Sequence, residues 1–303
     1  MKKETDIMTD TIVRAMSASG GLRVLTCSVS GLAREICSLQ RASATVSVAL
    51  GRGLAGGALL GAQLKPGQRV ALKFEGNGPM GKMIIEADAD GAVRGCVGDP
   101  GAEAEPLNGR WNVPGVLGHA GFLTVSKDLG MGGEPYHGMV QLRSSEIGDD
   151  LAYYLTDSEQ VPSAVGLSAS LNEEGGVALC GGFLVQALPK ADSAEIDEMM
   201  RRIAELPPLC TLLQEGGPEA IMNRLFGGMA YNLLETREVF FRCGCSKAKV
   251  ERALLTLGPD ELRDMGEKEQ GADITCEFCR QRYHFDEAEL AALAARSRTP
   301  AGV

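Results

Sequence analysis

The chain has 303 residues, 44% of them hydrophobic, and a formal charge of −10 at neutral pH. That length allows one large domain or two, each with a real core, while the acidic balance argues against a dedicated nucleic-acid binder, which carries a basic excess. The opening residues Met1 to Asp6 lack the apolar stretch of a signal peptide, so a cytoplasmic location is expected, where close cysteine pairs more often bind metal than stay oxidised.

Residues 46–64 are apolar and long enough to span a membrane, but Arg52 interrupts them and glycine and alanine dominate. Gly53, Gly57 and Gly61 recur every four residues, a ridge that lets a helix approach its neighbour closely. A buried helix is the reading, and no membrane partner is expected. Gly51-Arg52-Gly53-Leu54-Ala55-Gly56 also matches a dinucleotide fingerprint. That fingerprint opens a βαβ unit, whereas the strands after it in this chain read as antiparallel.

Val70, Leu72 and Phe74 alternate as a half-buried strand would, and Gly76-Asn77-Gly78-Pro79 supplies a turn. Residues 83–87 and 92–97 flank Asp90-Gly91 as a hairpin. Further strands are expected at 122–126, 138–142, 165–171 and 177–188, with a short amphipathic helix marked by Ile147, Leu151, Tyr154 and Leu155. Strands in runs with few helices between them predict an α+β fold: a mainly antiparallel sheet with packed helices over residues 1–190.

The character changes after Leu188-Pro189. Asp192 can cap a helix, with Glu195 positioned for a capping box, and Pro207-Pro208 stops it. A second helix is expected from Pro218 to Gly227-Gly228. Residues 191–239 therefore read as an amphipathic helical linker. Its Met199, Met200, Ile203, Leu225 and Phe226 form an adaptable apolar face, docked on the core or open to being uncovered.

Residues 240–292 read as a small C-terminal domain, and residues 293–303 as a frayed tail. The domain holds Cys243-Gly244-Cys245 and Cys276-Glu277-Phe278-Cys279. Two such pairs can set four sulfurs on a tetrahedron, the geometry Zn²⁺ prefers, with no position left open for a substrate. The C-x-C half is tighter than the usual zinc spacing, and its thiols could also close on each other. Metal binding, an oxidant response, or both fit the spacing. Arg242, Lys247, Lys249, Arg280 and Arg282 stand nearby in sequence and would stabilise thiolates.

His284 follows Cys279 closely enough to substitute as a ligand, but four cysteines already fill the shell. His119 and His137 have no nucleophile beside them in sequence, and no catalytic constellation emerges. An enzyme is not expected. Cys27, Cys37, Cys96, Cys180 and Cys210 stand alone and read as small buried hydrophobes.

The run Phe241-Arg242-Cys243-Gly244-Cys245-Ser246, with Cys276-Glu277-Phe278-Cys279 and Tyr283-His284-Phe285-Asp286, resembles the redox-regulated 33-kDa heat-shock chaperone family. Gly78-Pro79-Met80-Gly81, Val93-Arg94-Gly95, Val125-Ser126-Lys127-Asp128-Leu129-Gly130, Pro135-Tyr136, Ser158-Glu159-Gln160 and Gly181-Gly182-Phe183 extend it through the core. The resemblance implies an ATP-independent holdase that binds unfolding proteins under oxidative stress. It implies one zinc per chain in the reduced, inactive form, held by Cys243, Cys245, Cys276 and Cys279. It further implies Cys243–Cys245 and Cys276–Cys279 disulfides with zinc released in the active form, and a homodimer on oxidation. A small module that depends on its metal would unfold on losing it, which could uncover the Met-rich face for a client. The alternative is a zinc-ribbon module that binds nucleic acid or a protein partner; the acidic balance disfavours it.

Overall fold

The structure is a computed structural model that describes residues 9–130 and 132–297. The chain forms two compact units, Met1–Arg242 and Cys243–Val303.

The first unit opens with strands β1 (Thr11–Ser17) and β2 (Leu22–Ser28) and helices α1 (Ser30–Gln40) and α2 (Ala44–Gly61). Ser43 caps α2 by accepting from the Val46 amide, and nearly all of its residues are buried. A helix apolar on every side belongs in the middle of a protein. Its glycines make that possible: a Cβ at Gly57 would lie 2.5 Å from Ile85 Cγ2, and one at Gly56 2.5 Å from Leu151 Cδ1. Among the described residues this is the helix long and apolar enough to cross a membrane, and 89% of it is buried inside the protein. The dinucleotide-like glycines lie wholly within it, so there is no strand-to-helix turn at that point to cradle a pyrophosphate.

Next come β3 (Arg69–Gly76), β4 (Lys82–Asp88), β5 (Ala92–Val97), α3 (Val113–Leu117), β6 (Gly121–Asp128) and β7 (Tyr136–Gln141). After these the chain forms α4 (Ile147–Asp157), β8 (Ser163–Leu171), β9 (Val177–Ala187), α5 (Ser193–Ala204), α6 (Leu209–Phe226), β10 (Tyr231–Glu238) and the two-residue β11 (Phe240–Phe241). A five-stranded sheet runs β10-β1-β2-β9-β8, and a six-stranded sheet runs β11-β5-β4-β3-β6-β7. The pairings are antiparallel except for β11 beside β5, as expected for the core. α2 lies between the two sheets, touching β8 and β9 on one side and β4 and β5 on the other. The largest apolar cluster sits around it, with Phe74, Leu50, Leu54 and Tyr154 fully buried.

The opposite face of the five-stranded sheet is covered by α5 and α6. Val13, Ala15, Leu22, Val24, Phe183 and Val185 of the sheet pack against Met199, Leu212, Ile221, Leu225 and Phe226. Asp192 caps α5 by accepting from the Glu195 amide. Glu195 does not close a capping box; its carboxylate accepts from the Ser19 hydroxyl at 2.7 Å. α6 begins earlier than the sequence predicts and is kinked at Gly216 and Gly217, with Pro218 opening its second half. The linker read as helical over 191–239 ends in a strand, beyond the second expected helix. β10 satisfies the free edge of β1 from Thr11↔Glu238 to Ser17↔Tyr231, with a bulge between Arg14 and Ala15.

The second unit contains α7 (Lys247–Leu254), α8 (Pro259–Glu269), the hairpin β12 (Ala272–Thr275) and β13 (Arg282–Phe285), and α9 (Glu287–Ser297). Leu254, Leu262, Phe285, Leu290 and Leu293 form its own small core. Here the sequence reading needs correction: residues 293–297 are the end of α9 rather than a frayed tail, because Leu293 and Ala294 are buried in that core. Residues 298–303 lie outside the described part.

A four-cysteine site in the second unit

The chain reaches the site directly after Arg242. Cys243 and Cys245 precede α7, whose first turn is capped by Ser246 accepting from the Lys249 amide. The second pair sits at the tip of the β12–β13 hairpin. The Cys276 amide donates to the Gln281 carbonyl at 2.9 Å and the Arg280 amide to the Cys276 carbonyl at 3.0 Å. Arg280 takes a left-handed conformation there, φ 59°, which lets the knuckle close.

All four sulfurs lie within 4.8 Å of one another. Cys243 Sγ is 3.7 Å from Cys276 Sγ, and Cys245 Sγ is 3.3 Å from Cys279 Sγ. A zinc ion with Zn–S bonds of about 2.3 Å requires sulfurs about 3.8 Å apart at the corners of a tetrahedron. The donor set fits that ion in both spacing and chemistry. The four are not joined to one another as disulfides. Burial, and after it the adjoining Cys245, Cys276 and Cys243, push the Cys279 thiol up to about 12, against an opposing hydrogen bond from the Gln281 backbone. Four sulfurs gathered this closely suit a cation among them.

Three of the cations near the pairs in sequence, Arg242, Lys247 and Lys249, turn elsewhere. Arg242 bonds Asp88 and Asp90. Lys247 pairs with Glu289 and lies 4.9 Å over the Phe285 ring, and Lys249 donates to the Gly244 carbonyl. The phenol of Tyr283 does reach a sulfur, 3.1 Å from Cys245 Sγ. Sequence reasoning missed this contact, although alternation along β13 groups Tyr283 with buried Phe285 on one face. His284, on the other face, hydrogen-bonds Asp273 at 3.0 Å and is outside the cluster.

Of the apolar residues singled out on the linker, Met199, Leu225 and Phe226 are buried, Ile203 is half-buried and Met200 is 52% exposed. Tyr231, Leu233 and Leu234 on β10 are exposed as well, and the sequence reading of the linker did not single them out. Cys27, Cys37, Cys96 and Cys180 are buried, and burial pushes Cys27 and Cys37 up to about 12, so they are poor nucleophiles. Cys210 is half-buried, 3.1 Å from the Ser168 hydroxyl.

The profile of the Hsp33 protein family matches residues 10–286. A "33 kDa chaperonin" of Pelobacter propionicus is 68% identical over 287 residues, covering 95% of this chain and 94% of its own. The "33 kDa chaperonin" of Geobacter sulfurreducens is 48% identical, with 94% of each chain covered. The crystal structure of a 33 kDa chaperonin (heat shock protein 33 homolog) from Thermotoga maritima superposes with a TM-score of 0.87 at 34% identity, over 95% of this chain and 98% of the other.

Proposed function

The chain belongs to the Hsp33 family, and on that premise we propose that it is a chaperone of the holdase kind, switched on by oxidation and independent of ATP. The observation that carries this reading is the group of four sulfurs within 4.8 Å in a unit with little other core.

In the reduced form Cys243, Cys245, Cys276 and Cys279 would hold one zinc ion, which supplies the charge that keeps four adjacent sulfurs ionised and cross-links the ends of the unit. A thiolate of a pair attacks peroxide, giving a sulfenic acid and hydroxide. The second thiol of that pair displaces water from the sulfenic acid to form a disulfide, Cys243–Cys245 or Cys276–Cys279. A disulfide sulfur carries no thiolate charge, so oxidation of the pairs dissolves the ligand set. A disulfide closed across one intervening residue is strained and easily reduced, which resets the switch when the stress ends.

In this reading the client is an unfolding protein and the surface offered to it is the apolar face of α5 and α6: Met199, Met200, Ile203, Leu225 and Phe226. Oxidation also favours a homodimer, and the protein acts in the cytoplasm. The domains in this scheme are the core to residue 190, the linker 191–239 and the switch from 240 to 292.

The test measures bound zinc and suppression of client aggregation, before and after peroxide with mild heating. About one zinc per chain should leave as suppression appears, without ATP. Suppression indifferent to oxidant, or zinc that stays bound, would overturn the proposal. Salt-dependent binding to DNA or RNA would instead favour the zinc-ribbon alternative.

A further inference from the structure

β10 is the outermost strand of the five-stranded sheet. β1 lies on one side of it and, among the described residues, no strand lies on the other. The Val239 amide donates to the Asp10 carbonyl at 2.9 Å. Backbone groups alternate along an antiparallel ladder, so Arg237 and Glu235, opposite Ile12 and Arg14, turn theirs towards β1. Thr236 and Glu238 turn theirs away, and those donors and acceptors can take a further strand.

The side chains of that edge carry both signs of charge. Glu235 and Arg237 stand two residues apart on one face, with Arg237 Nε 2.8 Å from Glu235 Oε1. The Arg237 guanidinium also donates to the Ala89 carbonyl, which holds the pair in place along the strand. Both remain partly open to solvent, Glu235 35% and Arg237 23% exposed. Neither lysine nor proline, the usual guards of an edge, occurs in Tyr231–Glu238. An edge charged with one sign repels every copy of itself. One with opposite signs two residues apart matches a copy that runs the other way.

We propose that β10 is the docking edge for a second copy of this chain, paired antiparallel about a twofold axis at Thr236. Antiparallel strands oppose residues of like backbone sense, outward to outward and inward to inward. A twofold axis in the charged half therefore falls on Glu235, Thr236 or Arg237. At Glu235 it would set two carboxylates face to face, and at Arg237 two guanidinia, and like charges directly opposite destabilise a pair. At Thr236 it brings Glu235 opposite Arg237 of the partner subunit, and Arg237 opposite Glu235 of the partner subunit, with the two threonines between them. The contact is isologous and closes at two chains, because the axis uses the same edge of both. A strand of arbitrary sequence would leave both charges unmatched, which favours a copy over another partner. The overlap is short, so the association is weak and depends on concentration. This inference rests on the homodimer proposed above and gives it a surface.

The test is sedimentation of the full chain after peroxide, where the parent should associate reversibly. E235R and R237E should each weaken the dimer by roughly tenfold or more, because each sets like charges opposite one another. An equal mixture of the two variants should associate within about threefold of the parent, since both cross-pairs then join opposite charges. Variants that had merely failed to fold would not recover on mixing. A dimer altered by less than about twofold in both E235R and R237E would overturn the pairing and leave the homodimer intact. Weakening in both without recovery on mixing would overturn it as well. A parent chain that stays monomeric would overturn the homodimer and its surface together.

Discussion

The phenol of Tyr283 stands 3.1 Å from Cys245 Sγ and donates a hydrogen bond to it, one of four sulfurs that could hold a metal only as anions. The contact also pushes the phenol itself up to about 12.

A proton donor on a metal-bound thiolate draws electron density from the sulfur and slows its attack on an oxidant. Tyr283→Phe should therefore speed peroxide-driven zinc release, by about fivefold if the hydrogen bond is worth about 1 kcal/mol. Stopped-flow measurement with a zinc dye reads the rate. An unchanged or slower release would mean that the phenol does not temper Cys245.

Alkali should weaken the metal-free second unit. Folding raises the Cys279 thiol from 9.0 to about 12, chiefly by burial, and the Tyr283 phenol from 10.0 to about 12, chiefly through Cys245. Both groups are neutral when protonated, so the unfolded chain ionises first as pH rises and proton loss favours unfolding. Their contribution is fully present below about pH 9 and is lost progressively towards pH 12. Because the metal-free unit is largely unfolded in plain buffer, it is refolded with an excluded osmolyte such as trimethylamine N-oxide, and the osmolyte midpoint read by circular dichroism should rise across that range. A flat midpoint would rule out the raised values.

Metal removal should act on one unit. Structural zinc contributes about 10–16 kcal/mol of apparent free energy in small modules, and the core of Leu254, Leu262, Phe285, Leu290 and Leu293 is too small to replace it. Chelation of the reduced chain should abolish hydrogen-exchange protection in α7, α8 and α9 while β1, β2 and β9 remain protected. Equal loss in both units, or in neither, would contradict this.

Much of this was legible in the sequence because its signals are local. The Asp192 cap, the Asp90-Gly91 hairpin and the glycine ridge of α2 each act within a few residues, and each predicted its element. The four cysteines come together because spacing alone confines them. The failures are non-local. Nothing near Tyr231–Glu238 announces that its partner is β1, so the sequence assigns the segment no element of its own within the linker. Likewise Arg242 beside two cysteines read as their counter-charge, when Asp88 and Asp90 were the nearer acids in space.

Phe226 gives a way to uncover the linker face without oxidant. It is buried against the five-stranded sheet and stacks on Tyr231 with ring centroids 4.3 Å apart. Phe226→Ala should cost the first unit about 3–5 kcal/mol and loosen α6. The reduced, zinc-bound variant should then bind a hydrophobic dye and suppress aggregation before any peroxide is added. A folded variant that does neither would separate this face from client binding.

The glycine ridge can be tested on its own. Gly57→Val would drive side-chain atoms into Ile85, whose Cγ2 already lies 2.5 Å from where the first carbon would sit. Overpacking of this kind costs about 1–3 kcal/mol, and valine gains little as a helix former. Urea denaturation should show the loss in the first unit. A stability equal to the parent's would mean that α2 has room to spare.

The pairing of β10 with β1 also bears on how the protein is made. β1 lies near the start of the chain, and its outer neighbour is the segment just ahead of the first cysteine motif. At about 5–20 residues per second, a ribosome needs on the order of ten seconds or more after finishing β1 before β10 emerges. Until then the five-stranded sheet has an open margin, and the face that α6 will cover is bare. Each newborn copy of this chaperone is thus briefly in the condition of the proteins it is proposed to hold, and the four clustered cysteines are translated only once that interval is nearly over.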